Sequence, residues 1–441
     1  MIQLFLFGGT SWLVVSCAEL QPRRQPQQGF GAREVGSGRE VVGVFAGFRE
    51  RKLQLLIAES LRNNPTVALV ASRLRAASVV RRQAGEVGRP QLTAGFGLQE
   101  GKFREVGENI RERAPIFSRS SLRWELDPFG KFKAGRAAAR EGEKEAVFAL
   151  QQAQLVLAAE VAQGYFRLGR LGEEEFFLRK QRAAQRKIVG FGNEALKAGL
   201  EARAGVLKEE KRLLELDEGV VRVEKLKGLA ESELGRLLGR TTAAKENGRL
   251  VGEPVVSGKT LGQLLRTQPR IQAAEAEVRR AFQLEESARL DLLPGFSLSA
   301  TLGGAQRGLT ERFMAWEALA AAGLTVPVYD ARRRAALRSR RVETNQASLR
   351  YRGVVLDALA EADQAMVAIR EDRRLLQNLQ EQRTVVQRLL GEAQAKRAAG
   401  LAGEREVLRA DQAAAEVEKA MVAIRQALLE AHVKLRVAIG G

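Results

Sequence analysis

Hydrophobic positions along the chain change their spacing abruptly at two places. In WELDPFGKFKAG, residues 124–135, Trp124 and Leu126 alternate with Glu125 and Asp127, and Leu122 extends the alternation upstream between Ser121 and Arg123. That is strand spacing. Beyond Pro128 it stops, and from Lys131 onward Ala, Arg, Glu, Gln and Leu make up a helical composition. About two hundred residues later LTVPVYDARRRAALR does the same, alternating through Leu324, Val326 and Val328 and turning helical after Tyr329 and Asp330.

Proline placement marks where long helices fit. All ten prolines lie at or before Pro327, leaving Pro-free runs over 129–253 and 328–441. An interior proline costs a helix about 3 kcal/mol, so these runs are the natural homes of long helices. Leu150, Leu157, Val161 and Leu168 follow spacings of seven, four and seven, and Ile369, Leu376, Leu379, Val386 and Leu390 continue heptad logic in the second run. A helix from Lys131 to Lys197 would reach about 100 Å at ~1.5 Å per residue.

The chain is an internal repeat. Asn64-Pro65 opens a helical stretch ending at Pro90, Gln268-Pro269 opens one ending at Pro294, and both intervals are 25 residues. An alternating segment follows each: Leu92, Ala94, Phe96 and Leu98, then Phe296, Leu298, Ala300 and Leu302. Each half predicts helix, strand, strand, long helix, shorter helix, with strands beginning near Leu92, Ser120, Phe296 and Gly323. Each half also ends alike, in Leu238-Gly239 and Ile439-Gly440.

Segments of about ten residues suit tilted strands crossing a bilayer. The apolar stretch FMAWEALAAAGLTVPV carries Glu317 and Pro327 and does not read as a transmembrane helix. Four strands cannot close a barrel, and a bilayer tolerates no open sheet edge, so spanning strands require oligomerisation. Three copies would supply twelve strands. The predicted fold is mainly α with a transmembrane β-barrel portion: two tandem repeats, a trimeric twelve-stranded barrel and an α-helical tunnel.

Composition narrows function by exclusion. Hydrophobic residues make up 45% of the 441, enough for a core, while aromatics at 5% favour closely packed long helices. A net charge of +19 suggests nucleic acid, but its lysines and arginines alternate with acids, as in REGEKE and KEEKRLLELDEG, the mark of solvated helix faces. No nucleic-acid partner is expected. One cysteine excludes an internal disulfide; one histidine, His432, lacks the partners of a triad or metal site and reads as a seam residue. VGEPVVSGKTL has the wrong glycine spacing for a phosphate loop and reads as the crossover between repeats. Nothing argues for catalysis or a cofactor.

The order and spacing of NNPTVALVASRLRAA, WELDPFGK, QPRIQAAEAEVRRA with LLPGFSLSATL, VPVYDARRRAAL and two AGL turns resemble the outer-membrane efflux ducts of Gram-negative bacteria, the TolC-like family. The resemblance covers about residues 53 to 440. It implies a homotrimer whose barrel sits in outer-membrane lipid above a periplasmic tunnel. It also implies a passive conduit fed by a periplasmic adaptor and an inner-membrane pump. The rival reading is a non-membrane helical coiled-coil scaffold, associated with nucleic acid in view of the charge.

Within that resemblance, residues 1–17 read as a signal segment, since Val14, Val15, Ser16 and Cys17 resemble the lipoprotein box in which the cysteine is lipidated. Residues 18–52 read as a flexible tether, 53–245 as the first repeat and 246–441 as the second. Gly199, Leu200, Gly400 and Leu401 match the periplasmic tips that meet the adaptor, with Val206 and Val407 beginning the returning helices. Related lipoprotein ducts place an apolar residue and, four positions on, an acid in the second returning helix; here those positions hold Arg405 and Arg409. The resemblance thus implies an aperture with two basic rings, or else arginines turned toward the adaptor or toward carboxylates such as Glu404, Glu406 or Asp411.

Overall fold

A computed structural model of the protein describes residues 38–98, 116–254, 267–306 and 315–440. Helices α1 (Gly38–Phe45), α2 (Arg51–Asn63) and α3 (Pro65–Glu86) lead into strands β1 (Gln91–Leu98) and β2 (Ile116–Leu126). The long helix α4 (Lys131–Lys197) then returns through α5 (Arg203–Leu237). The second half repeats the order with α6 (Pro269–Leu290), β3 (Gly295–Gln306), β4 (Ala315–Thr325), α7 (Ala331–Ala398) and α8 (Glu404–Ile439).

Local chemistry sets the boundaries. Asn64 accepts a hydrogen bond from the Thr66 amide at 2.8 Å and Gln268 accepts one from Ile271 at 2.8 Å, each just before a proline in the first helical turn. At the strand-to-helix junctions Asp127 accepts from the amides of Phe132 and Lys133 at 3.0 and 3.1 Å, and Asp330 from Arg333 at 3.0 Å. Each aspartate satisfies amides that the first helical turn leaves open. The helices that follow run 67 and 68 residues, so α4 occupies the predicted Lys131–Lys197 span.

The core lies where both repeats meet at mid-height. Leu150, Leu157, Val161 and Leu168 of α4, placed by their spacing, are all buried, together with Tyr165 and Phe166. They pack against Leu53 and Ile57 of α2, Leu234 of α5 and Val433 of α8. Ser60 and Asn64 donate to the Leu237 carbonyl at 2.7 and 2.9 Å, tying the start of the first repeat to its end. In α7 Ile369 is buried, whereas Leu376, Leu379, Val386 and Leu390 are only half-covered in the single chain.

Three expectations need correction. The last part of the 18–52 tether is folded: α1 and a 3-10 turn at Ala46–Phe48 bury Val41, Phe45 and Phe48, the last with its ring 5.4 Å from Phe166. These three apolar residues at helical spacing give the segment a core contact that its glycine and arginine content concealed. β4 begins at Ala315 rather than near Gly323, and β2 at Ile116 rather than near Ser120. Alanines 318, 320, 321 and 322 occupy both faces of β4 and hide the alternation, and Val326 and Val328 fall beyond its end. Within one chain the sheet is open and four-stranded, in the order β1-β2-β3-β4.

Candidate functional site

The sheet is antiparallel throughout, and its register decides which side chains share a face. Leu92 pairs with Leu122, which pairs with Ala300; Trp124 pairs with Leu298, and Leu298 with Ala322; Leu126 pairs with Phe296, and Phe296 with Leu324. Directly opposed residues point the same way, so the apolar sets of all four strands lie on one face. Thr93, Ser121, Arg123, Ser299 and Thr301 lie on the other. The apolar face is open, with Phe96 68% and Trp316 76% exposed. Such a face, with unpaired outer edges on β1 and β4, is costly in water.

At the opposite end of the long helices both hairpins turn in the same way. Gly199 and Gly400 adopt φ of +72° and +73°. The amide of Leu200 donates to the Ala195 carbonyl at 2.8 Å, and that of Leu401 to Lys396 at 2.8 Å. This left-handed termination closes the last carbonyls of each long helix and favours glycine at the turn. Leu200 and Leu401 project beyond it, 82% and 80% exposed. Val206 is buried and Val407 half-buried at the start of the returning helices.

The structure brings the two tips together through a polar ladder. Arg405 donates to both carboxylate oxygens of Glu201 at 2.6 and 3.1 Å, and Arg409 donates to Glu209 at 2.8 Å. Gln185, fully buried, donates to the Glu209 carboxylate at 2.7 Å and accepts from Gln412 at 2.9 Å. One turn higher, Gln181 donates to the Gln412 carbonyl at 3.3 Å and Lys180 pairs with Asp411 at 2.8 Å. Hydrogen bonds from Arg405 hold the Glu201 carboxyl below its usual range. Burial pushes Glu209 up, but hydrogen bonds from Gln185 and Arg409 outweigh it and leave that carboxyl depressed as well.

These contacts revise the partners expected of the tip arginines. Among the described residues neither pairs with Glu404, Glu406 or Asp411; Glu404 instead meets Arg397 at 2.8 Å. Both basic charges are matched by carboxylates of the first repeat. Aligning the turns at Gly199 and Gly400 sets Glu201 opposite Ala402 and Arg405 opposite Ala204, a complementary difference between repeats. Cys17 and the Gly258-Lys259-Thr260 segment lie outside the described residues.

The crossover between repeats runs tightly across α4. A side chain added at Gly248 would come within 2.2 Å of the Tyr165 carbonyl oxygen and 2.3 Å of the Gly169 nitrogen. Farther along, Glu253 receives Arg373 at 2.6 Å and lies 3.4 Å from the buried His432. Burial holds the His432 imidazole below its usual value, only partly offset by Glu253. His432 therefore sits in a seam, as expected, and also helps anchor the crossover. Among the described residues no helix is long and apolar enough to cross a membrane, and no group of side chains is arranged to hold a metal ion.

The chain matches the outer membrane efflux protein family over residues 56–240 and 260–441, the gap falling at the crossover. It is similar to nodulation protein T of Rhizobium leguminosarum bv. viciae, with 25% identity over 422 residues, 93% of this chain and 86% of that protein. It is also similar to the pyoverdine export outer membrane protein OpmQ of Pseudomonas aeruginosa, with 24% identity over 410 residues, 90% of this chain and 86% of that one. The outer-membrane channel OprN shares the fold, with a TM-score of 0.79 at 23% identity over 90% of this chain and 92% of that chain. With a family match spanning both repeats and a duplicated fold to go with it, the chain belongs to the outer membrane efflux protein family.

Proposed function

We propose that three copies of the chain close a twelve-stranded barrel in the outer membrane and continue it as a helical tunnel into the periplasm. As a member of its family the chain is the outer-membrane channel component of a tripartite efflux system. The observation that carries the trimeric reading is the sheet itself: four strands, one face that is apolar apart from Ser118 and Ser120, and two free edges, set on helices of 67 and 68 residues. Free edges meet their hydrogen-bonding needs in lipid only by joining the next copy, β4 of one against β1 of another. Below those edges α7 exposes Val342, Leu349 and Leu356 at spacings of seven. An open groove of about 760 Å³, lined by Val70, Ala77, Val80 and Ala138 among others, lies between α3, α4 and α6. Ring closure sets that ridge beside that groove.

In this reading the chain does no chemistry and is a passive exit duct. Its periplasmic partners are an adaptor, met at Gly199, Leu200, Val206, Gly400, Leu401 and Val407, and the inner-membrane pump behind it. Arg405 and Arg409, offset by Glu201 and Glu209, border the closed aperture. Cys17 anchors each copy by lipid. Purification tests the reading: a detergent-requiring, heat-modifiable trimer that conducts ions across a planar bilayer is expected. A salt-soluble monomer with no conductance would favour the helical scaffold instead.

A further inference from the structure

Past their capping aspartates, Asp127 and Asp330, both long helices begin with charge of the wrong sign for their own dipole. The N-terminal end of a helix carries partial positive charge, and acids are favoured there. Residues 131–140 hold four basic residues and no acid; residues 331–342 hold six arginines and no acid. Some of these are matched locally, as Arg333 is by Asp330 and Asp291. Lys133, Arg140, Arg332, Arg334 and Arg338 are exposed, and among the described residues none of them has a carboxylate within ion-pair distance. These five unmatched charges, gathered near two helix N-termini, are unfavourable unless an outside anion offsets them.

The position of these cations identifies the anion. The Phe129 ring lies 6.4 Å from that of Phe296, on the apolar face of the sheet. Tyr329 holds the equivalent place in the second repeat, is exposed, and has the Arg334 guanidinium 5.2 Å over its ring. From the sheet downward the order is therefore aliphatic face, aromatic ring, unmatched cation. That is the layering of hydrocarbon, interface and headgroup phosphate.

We propose that this basic collar binds the phosphodiester headgroups of anionic phospholipid in the periplasmic leaflet of the outer membrane. The proposal rests on the barrel reading above, which places the collar just below the hydrocarbon. Arg332, Arg334 and Arg338 carry most of the binding in the second repeat, and Lys133 and Arg140 contribute in the first. Arginine suits the role because it keeps its charge and offers a planar fork to phosphate oxygens.

The test uses the full-length trimer in detergent, offered equal amounts of phosphatidylglycerol and phosphatidylethanolamine, with retained lipid read by native mass spectrometry. The wild type is expected to keep phosphatidylglycerol preferentially and to lose the preference in high salt. Arg332→Gln, Arg334→Gln and Arg338→Gln together should abolish it, at about fivefold weaker binding per arginine removed. The same number of changes lower on α7, at Arg370, Arg374 and Arg388, should leave it intact. If the collar triple fails to assemble, Arg338→Gln alone and the salt dependence of the wild type decide. Unchanged phosphatidylglycerol retention in an intact collar variant overturns the proposal. So does equal loss in the lower triple, or unchanged retention with altered ion selectivity, which would put the arginines in the lumen. Absence of any trimer in the wild type would instead overturn the barrel reading.

Discussion

Arg405 of α8 grips Glu201, the residue just past the turn that ends α4, with two hydrogen bonds of 2.6 and 3.1 Å. A cation of the second repeat thereby closes on an anion of the first, and the two hairpin ends are fastened within one chain. Arg405→Glu should set two carboxylates against each other and raise single-channel conductance. Adding Glu201→Arg should bring it back down. Equal conductance in wild type and single variant would place this pair away from the aperture.

Acid should loosen the same fastening. Glu201 is held low first by the Arg405 hydrogen bonds; Glu209 is raised by burial but lowered further by Gln185 and Arg409. A carboxyl depressed in the folded state contributes stability that is fully present above its ordinary value, here 4.5, and is lost as pH falls through the folded value. Conductance in a planar bilayer should thus be flat from neutrality to the ordinary carboxylate range and rise below it. Arg405→Gln should flatten that rise. A rise beginning well above the ordinary carboxylate range would point to another group.

Gln185 should matter more to stability than its neutral side chain suggests. It is fully buried and serves both Glu209 and Gln412. Gln185→Leu takes a hydrogen bond from each, leaving Glu209 to Arg409 and Gln412 to the Gln181 carbonyl, at a cost of about 0.5–1.5 kcal/mol per bond. Hydrogen exchange should show faster opening in the lower parts of α5 and α8, with the mid-height core unchanged. Uniform protection in both would mean that the ladder is dispensable.

On the sheet, Leu298→Arg and Ser299→Arg should behave oppositely. Leu298 shares the apolar face with Trp124 and Ala322, whereas Ser299 pairs with Arg123 and Ala321 on the other. An arginine facing lipid near mid-membrane costs about 2–4 kcal/mol, and one facing water costs little. Trimer yield in membranes should fall for the first variant alone. Similar yields would contradict the assignment of faces.

Gly248→Ala tests the crossover. The new methyl would meet backbone atoms of α4 at 2.2 and 2.3 Å, which cannot rotate away. The crossover must shift, at about 1–3 kcal/mol or more. Limited proteolysis should cut the variant near 248 while leaving the wild type intact; equal resistance would mean that the backbone accommodates the methyl.

Several features were readable in the sequence because each rests on local chemistry. Pro65 and Pro269, Pro90 and Pro294, the start of α4 at Lys131 and the turns at Gly199 and Gly400 need only spacing and residue type. What escaped depends on distant partners or on residues with weak preferences. Glu201 and Glu209 become partners of Arg405 and Arg409 only after two hairpins dock, though the charge difference between equivalent tip positions was visible. Gln181 and Gln185, four residues apart on α4, sit in a charged stretch where nothing local marks them for burial; only the docking of Gln412 against them does so. The start of β4 was lost among alanines, which favour helix and mark neither face.

Strand order also dictates a schedule. β1 with β2, and β3 with β4, are joined by short connections, but Leu126 of β2 pairs with Phe296 of β3, about 170 residues later. That central pairing must wait until α4 has been synthesised, reversed through α5 and brought back to its starting height. Pairings of such separation form late and leave adhesive edges bare in the meantime. Until that pairing forms, the strands can exist only as two separate hairpins, β1 with β2 and β3 with β4, each with a second edge open to mispairing.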